Sequence, residues 1–199
     1  MRDRSKFEST IRKFDESNAT DPHWEEYEGE KHKKELLYAQ RMTRWMNKLY
    51  PDASEALQLA ARAQHICRWE IPRSNYPKDR IGYLRWRNEL KQFHADKAEE
   101  IMTTNGYRQQ LIDRVRFLLL KKQLRTDRET QALEDVVCLV FLEYYLLDFA
   151  SKHNEEKVVS ILQKTWNKMS SIGHKASEEI TFPPGLEVLV KRAIQTVDQ

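Results

Sequence analysis

His65, His94 and Asp135 are the residues whose types and spacing point most directly to chemistry. His94 sits on the stripe Leu90, His94, Ala98, Ile101, spaced four, four and three residues apart, which puts it on the inward face of a helix. Asp135 shares a helical face with Cys138, Leu139 and Leu142. A carboxylate buried there must be paired, protonated or bound to a cation, because leaving it bare is costly. His65 lies in "AQHICRWEIPR", one turn after Ala61 and one turn before Trp69. The simplest account is three separately satisfied polar residues. Inward stripes on consecutive long helices converge in a compact bundle, however, and two neutral imidazoles with a carboxylate suit a divalent ion such as Zn, Mn or Fe. Such an ion would activate water against a phosphoryl group.

Arginines surround this set. Arg62 and Arg68 each lie three residues from His65, so both share its side of a helix and could neutralise phosphate. Arg73 and Arg87 extend the basic stretch 62–91. Across 68–87, arginines alternate with Trp69, Tyr76, Tyr83 and Trp86, a composition that also suits RNA or a nucleotide, bases stacking while phosphates are paired. His174 follows Gly173 at an expected helix start whose N–H groups could bind an anion.

The elements that must position these residues are helical. Five glycines and six prolines in 199 residues, with almost no strand-like alternation, imply an all-α, single-domain helical bundle. A short first helix ends near Asn18 and an acidic connector follows, so that residues 1–30 precede a helical domain of residues 31–199. Helices are expected over about 31–49, 52–71 and 80–104, with Asp52 as the cap of the second and Gly106 closing the third. Leu111 to Leu119 mark another, and Thr126 with Glu129 fit a capping box opening an apolar helix over about 127–149. Val158 to Trp166 and Leu186 to Ala193 mark the last two.

Net charge is only +3, so bulk attraction to nucleic acid is weak. The acidic run from Asp15 to Glu30 could dock a basic partner. Two cysteines, Cys67 and Cys138, make no disulfide framework, which points to a reducing cytosol. "MRDRSKFEST" lacks the apolar core of a signal peptide, and the longest apolar run, 136–142, cannot span a bilayer, so no membrane partner is expected.

With "YAQRM", "AARAQHICRW", "FHADKAEEIMTTNGY" and "LEDVVCL" in this order, the chain resembles the HD superfamily of helical metal-dependent phosphohydrolases. That resemblance implies an HD-like core over about 31–150 with extra terminal helices, the C-terminal ones over 154–199. It also implies a metal at His65, His94 and Asp135, with Tyr38 and Arg41 beside the same phosphate pocket. Tyr38 stands where that family has its first histidine, and Ile66 where it has the doublet aspartate. Glu70 and Glu134 are the replacement carboxylates, and with Arg62 and Arg68 they are the catalytic candidates. A resemblance covering nearly the whole chain is carried by "KELLYAQRM", "ARAQHICRWEIPR", "YPKDRIGYLRWRNELKQFHADKA", "LEDVVCLVFLEYY" and "KTWNKMSSIGHKA". These look like the uncharacterised bacterial and fungal family known as domain of unknown function 4202. "KMSSIGH" contains near-copies of both aminoacyl-tRNA synthetase signature peptides, but abutted, reversed and without the strands and glycine-rich turns of a nucleotide domain. The expected function is an HD-like phosphohydrolase acting on a small phosphate-containing molecule. The alternative is a non-catalytic RNA- or nucleotide-binding module on the same scaffold.

Overall fold

The structure is a computed structural model describing residues 4–195. Among these, ten α-helices and one short hairpin form two compact units that divide between Gln123 and Leu124.

The first unit opens with α1 (Arg4–Asn18), which buries Thr10, Phe14 and Asn18. Next comes a hairpin, β1 (Trp24–Tyr27) and β2 (Glu30–Lys33), antiparallel with Trp24 opposite Lys33. It occupies the stretch read from the sequence as an acidic connector. The reason is the two-residue turn: Glu28 and Gly29 both have positive φ, 52° and 80°, which is the turn that matches strand twist. Helix α2 (Lys34–Leu49) follows directly, with Leu37, Tyr38, Met42 and Trp45 facing the core.

Helix α3 (Glu55–Ala63) is alanine-rich and lies against α1 and α2. Its cap is Ser54, whose hydroxyl accepts from Leu57 N–H at 3.1 Å, so the helix starts later than Asp52 would set it. It also ends at Ala63 rather than continuing to Ile71. The chain then turns through Gln64–Cys67, with Cys67 left-handed at φ 52°, and runs as short tight turns to Tyr76. That termination places His65 on a turn, off any helix.

Helix α4 (Arg80–Thr104) is 25 residues long and is capped by Asp79, which accepts from Gly82 N–H at 2.6 Å. Gly106, at φ 73°, follows its end as the left-handed residue. Helix α5 (Gln109–Leu119) closes the unit, packing Ile112, Val115 and Leu118 against α3 and α4.

The second unit centres on α6 (Arg128–Val140), capped by Asp127 rather than by Thr126. Leu133, Val136, Leu139 and Val140 are fully enclosed, so the helix is buried almost all round. The expected single helix over 127–149 is interrupted by one wide turn at Phe141–Tyr145 before α7 (Leu146–Ser151) resumes. Helices α8 (Glu155–Trp166), α9 (Ser171–Ser177) and α10 (Pro184–Gln195) complete it, α9 packing on α6 and α10 on α8. No helix among the described residues is long and apolar enough to cross a membrane.

Candidate functional site: a cationic cleft in the first unit

A cleft of about 180 Å³ opens between the turn after α3, the first half of α4 and the end of α5. Its walls carry His65, Arg68, Arg87, Lys91, His94 and Lys121, with Gln64, Tyr83, Trp86 and Leu90 completing them. No carboxylate is among these residues.

The turn at 64–67 builds the floor. By ending α3 early it frees the Ile66 carbonyl, which accepts from His94 Nδ1 at 2.8 Å. The backbone N–H of Cys67 is held in turn by Asn18 Oδ1 at 3.0 Å. A carbonyl only accepts, so the His94 proton sits on Nδ1 and Nε2 carries a bare lone pair. That Nε2 is buried and has no hydrogen-bond partner. Burial pushes the His94 imidazole down to about 3, so it stays neutral across the ordinary pH range.

His65 lies beside it, the ring centroids 5.8 Å apart. Its ring stacks on Tyr38 at 3.8 Å, which fixes its plane. Arg68 Nη1 donates to His65 Nε2 at 3.1 Å, leaving the His65 proton on Nδ1, 3.3 Å from Glu35 Oε2. Enclosure, and then Arg68, hold the His65 imidazole well below its ordinary value. Glu35 is buried, and desolvation pushes its carboxyl up to about 7 against the pull of Arg68, 4.0 Å away. Its backbone N–H is fixed by Asp21 Oδ2 at 2.9 Å, a contact that the hairpin makes possible.

Arg68 and Trp86 tie the loop to α4. The guanidinium lies 4.9 Å over the Trp86 ring, and Trp86 Nε1 donates to Ile71 O at 2.9 Å. Arg73 secures the same loop, donating to the carbonyls of Tyr76 and Pro77 at 2.8 and 2.6 Å.

Only part of the anticipated set meets here. His65, His94, Arg68 and Arg87 line the cleft and Tyr38 supports it from below. Arg62 is directed elsewhere: its Nε and Nη2 bind the Asp15 carboxylate, both at 2.6 Å, and Nη1 reaches Thr43 Oγ1 at 3.0 Å. Arg41 pairs with Glu25 and lies over the Tyr27 ring. Much of the acidic run thus works inside its own unit, as Asp15, Asp21 and Glu25 all have internal partners. Glu70 stands 3.8 Å from Lys97.

In the second unit, the Asp135 carboxylate accepts from Ser170 N–H at 2.7 Å, from the Ser170 hydroxyl and from Gln131 Nε2 at 3.0 Å. Glu134 is buried, 3.6 Å from Lys168 Nζ. His174 stacks on Trp166 at 3.7 Å and its Nε2 bonds the Trp166 carbonyl at 2.9 Å, a structural use of the ring.

These partners do not fit a divalent ion. His65 Nε2 already accepts from Arg68, both imidazoles stand among cations, and Asp135 is engaged by Ser170 and Gln131. Among the described residues, no group of three or more His, Cys, Asp or Glu side chains is placed to hold a metal ion.

Sequence reasoning missed Glu35, Gln64, Lys91 and Lys121. Lys91 had a signal, since Tyr83, Arg87, Lys91 and His94 follow one another at four, four and three residues on α4. Lys121 had none: it reaches the cleft from a left-handed residue, φ 54°, just after α5.

No curated protein and no solved structure matches this chain. A family model does, over residues 8–190, and the chain belongs to that family, the domain of unknown function DUF4202.

Proposed function

We propose that the cleft of the first unit binds a small phosphate ester. The observation that carries this reading is its charge: Arg68, Arg87, Lys91 and Lys121 converge on about 180 Å³ with no acidic residue in the lining. Opposite unit charges at roughly 4 Å attract by about 4 kcal/mol at an effective dielectric of about 20, so cations converging on one cleft favour an anion there. The volume lies below the roughly 300 Å³ at which drug-sized ligands begin to fit. That favours a phosphate on a short carrier over a whole nucleotide. RNA is served less well, because Trp86, one of the four aromatics expected to stack on bases, is covered by Arg68 and tied to Ile71. The resemblance to HD-type hydrolases adds only the expectation of phosphate chemistry.

A second reading, hydrolysis of the ester, is favoured by Glu35 beside His65. Phosphate binding would draw Arg68 away and free His65 Nε2 to take a proton from water, while Glu35 steadies Nδ1–H. The water oxygen would bond to phosphorus, the ester oxygen would leave, and the proton held by His65 would pass to it. In the structure as it stands Arg68 occupies that lone pair, so binding is the better-supported reading.

Titration of the full chain with inorganic phosphate tests the reading. A rise of several degrees in melting temperature at saturating phosphate is expected, lost in Arg68→Met and Arg87→Met and weakened by salt. No rise, or a rise that survives both substitutions, removes the reading. Release of p-nitrophenol from p-nitrophenyl phosphate, abolished by His65→Gln, would establish the second reading over the first.

A further inference from the structure

The cations account for an anion, but they leave His94 unexplained. Its Nε2 is an acceptor, held so by the Nδ1 bond to Ile66 O, and has no donor within reach, while the residue, 3 % exposed, is one of those that line the cleft. Leaving a buried acceptor unmade costs the desolvation of that group, so the fold sustains this loss unless something else donates there. A fully ionised phosphate cannot, since its oxygens only accept. A metal is disfavoured by the four surrounding positive charges. A neutral hydroxyl fits both the lone pair and the charge.

From this we infer that the natural ligand carries a free hydroxyl which donates to His94 Nε2 while its phosphate is held by Arg68 and Arg87, making it a small phosphorylated polyol rather than a simple alkyl phosphate. The inference rests on the phosphate-ester reading above and narrows it. Leu90 and Tyr83, in the same lining, supply apolar surface for the C–H face of such a carrier. Gln64, adjacent to His65 in the same lining, offers a further polar contact to a second hydroxyl.

Two probes separate the charge from the hydroxyl: glycerol 3-phosphate, and propyl phosphate, which has the same carbon count and no hydroxyl. At pH 8 both phosphates are fully ionised, the second ionisation of such esters lying near 6, so propyl phosphate brings no O–H of its own. Calorimetric titration of the full chain is expected to give about tenfold tighter binding of glycerol 3-phosphate, the worth of one hydrogen bond to a buried acceptor. His94→Phe, which removes the lone pair and keeps a ring, is expected to bring the two affinities together. Equal binding of the two esters to the unaltered protein overturns the inference and leaves the anion cleft standing. Binding of neither ester, with no response to inorganic phosphate, overturns the cleft and the inference with it. The comparison of esters needs no variant, so it holds even if His94→Phe fails to fold.

Discussion

Arg62 and Arg68 stand at equal distances in sequence from His65, yet they do different work. Arg62 closes a bidentate pair with Asp15 and a contact to Thr43, joining α1, α2 and α3, and its side chain is almost entirely enclosed. Arg68 lies over Trp86 at the cleft wall. Arg62→Met should therefore lower unfolding free energy by about 3 kcal/mol in urea, the low end for a broken buried pair because Asp15 keeps some water. Arg68→Met should cost about 1 kcal/mol or less and remove phosphate binding instead. No spacing rule could separate them, since Asp15, the partner that decides the matter, is 47 residues from Arg62. Glu35 was hidden for a similar reason: it reads as an ordinary acid in the first turn of a helix, and its burial depends on the hairpin. Its carboxyl, raised from 4.5 to about 7, keeps a proton in the folded chain that the unfolded chain has lost. The resulting stability is complete below pH 4.5 and vanishes as pH rises through 7, a swing of about 3 kcal/mol. Glu35→Gln carries no charge at any pH, so it should gain on the unaltered protein by about that amount between pH 5 and pH 8. Parallel denaturation curves at the two pH values would show that the carboxyl is not desolvated.

At the level of elements, α4 does most of the positioning. It presents Tyr83, Trp86, Arg87, Lys91 and His94 on one side, and its start is fixed against the preceding loop at Gly82. A Cβ at Gly82 would come within 2.3 Å of the Pro77 carbonyl oxygen, and backbone on both sides leaves nothing flexible to give way. Gly82→Ala should lower stability by about 2 kcal/mol and weaken phosphate binding as Trp86 and Arg87 shift with the helix start. Gly185→Ala is the control, because a Cβ there meets nothing within 4 Å, so urea unfolding and phosphate titration should both stay near the unaltered protein. The long amphipathic helices were legible from period, and the end of α4 from Gly106, but the caps expected at Asp52 and Thr126 are taken by Ser54 and Asp127. The breaks were not: the early end of α3 depends on a left-handed Cys67 held by Asn18 from α1, and the wide turn at Phe141–Tyr145 lies within a continuous apolar run. Both breaks are settled by packing, and α3's early end creates the cleft floor.

For the whole molecule, charge and organisation point to a local function. The chain holds 34 basic and 31 acidic residues, so there is little global field to steer a polyanion, and the cationic cluster is a feature of one cleft. All ten lining residues fall between positions 64 and 121, inside the first unit. Asp135 belongs to the second unit, where Ser170 and Gln131 hold its carboxylate at the start of α9 and where a Cβ on Gly173 would stand 2.9 Å from Oδ1. The spacing on α6 correctly placed it inside, at 0 % exposure, but spacing cannot say whether an inward carboxylate meets a metal or a serine. The two possibilities part under substitution. If Asp135 serves the cap of α9, Asp135→Asn should lower the melting temperature by several degrees, in step with a loss of about 2 kcal/mol of hydrogen bonding, while phosphate affinity at 20 °C stays within twofold of the unaltered protein. A metal-ligand Asp135 would instead show as a cleft that loses its ligand with stability little changed, and that result would reopen the metal reading which the neighbours of His65 and Asp135 now oppose.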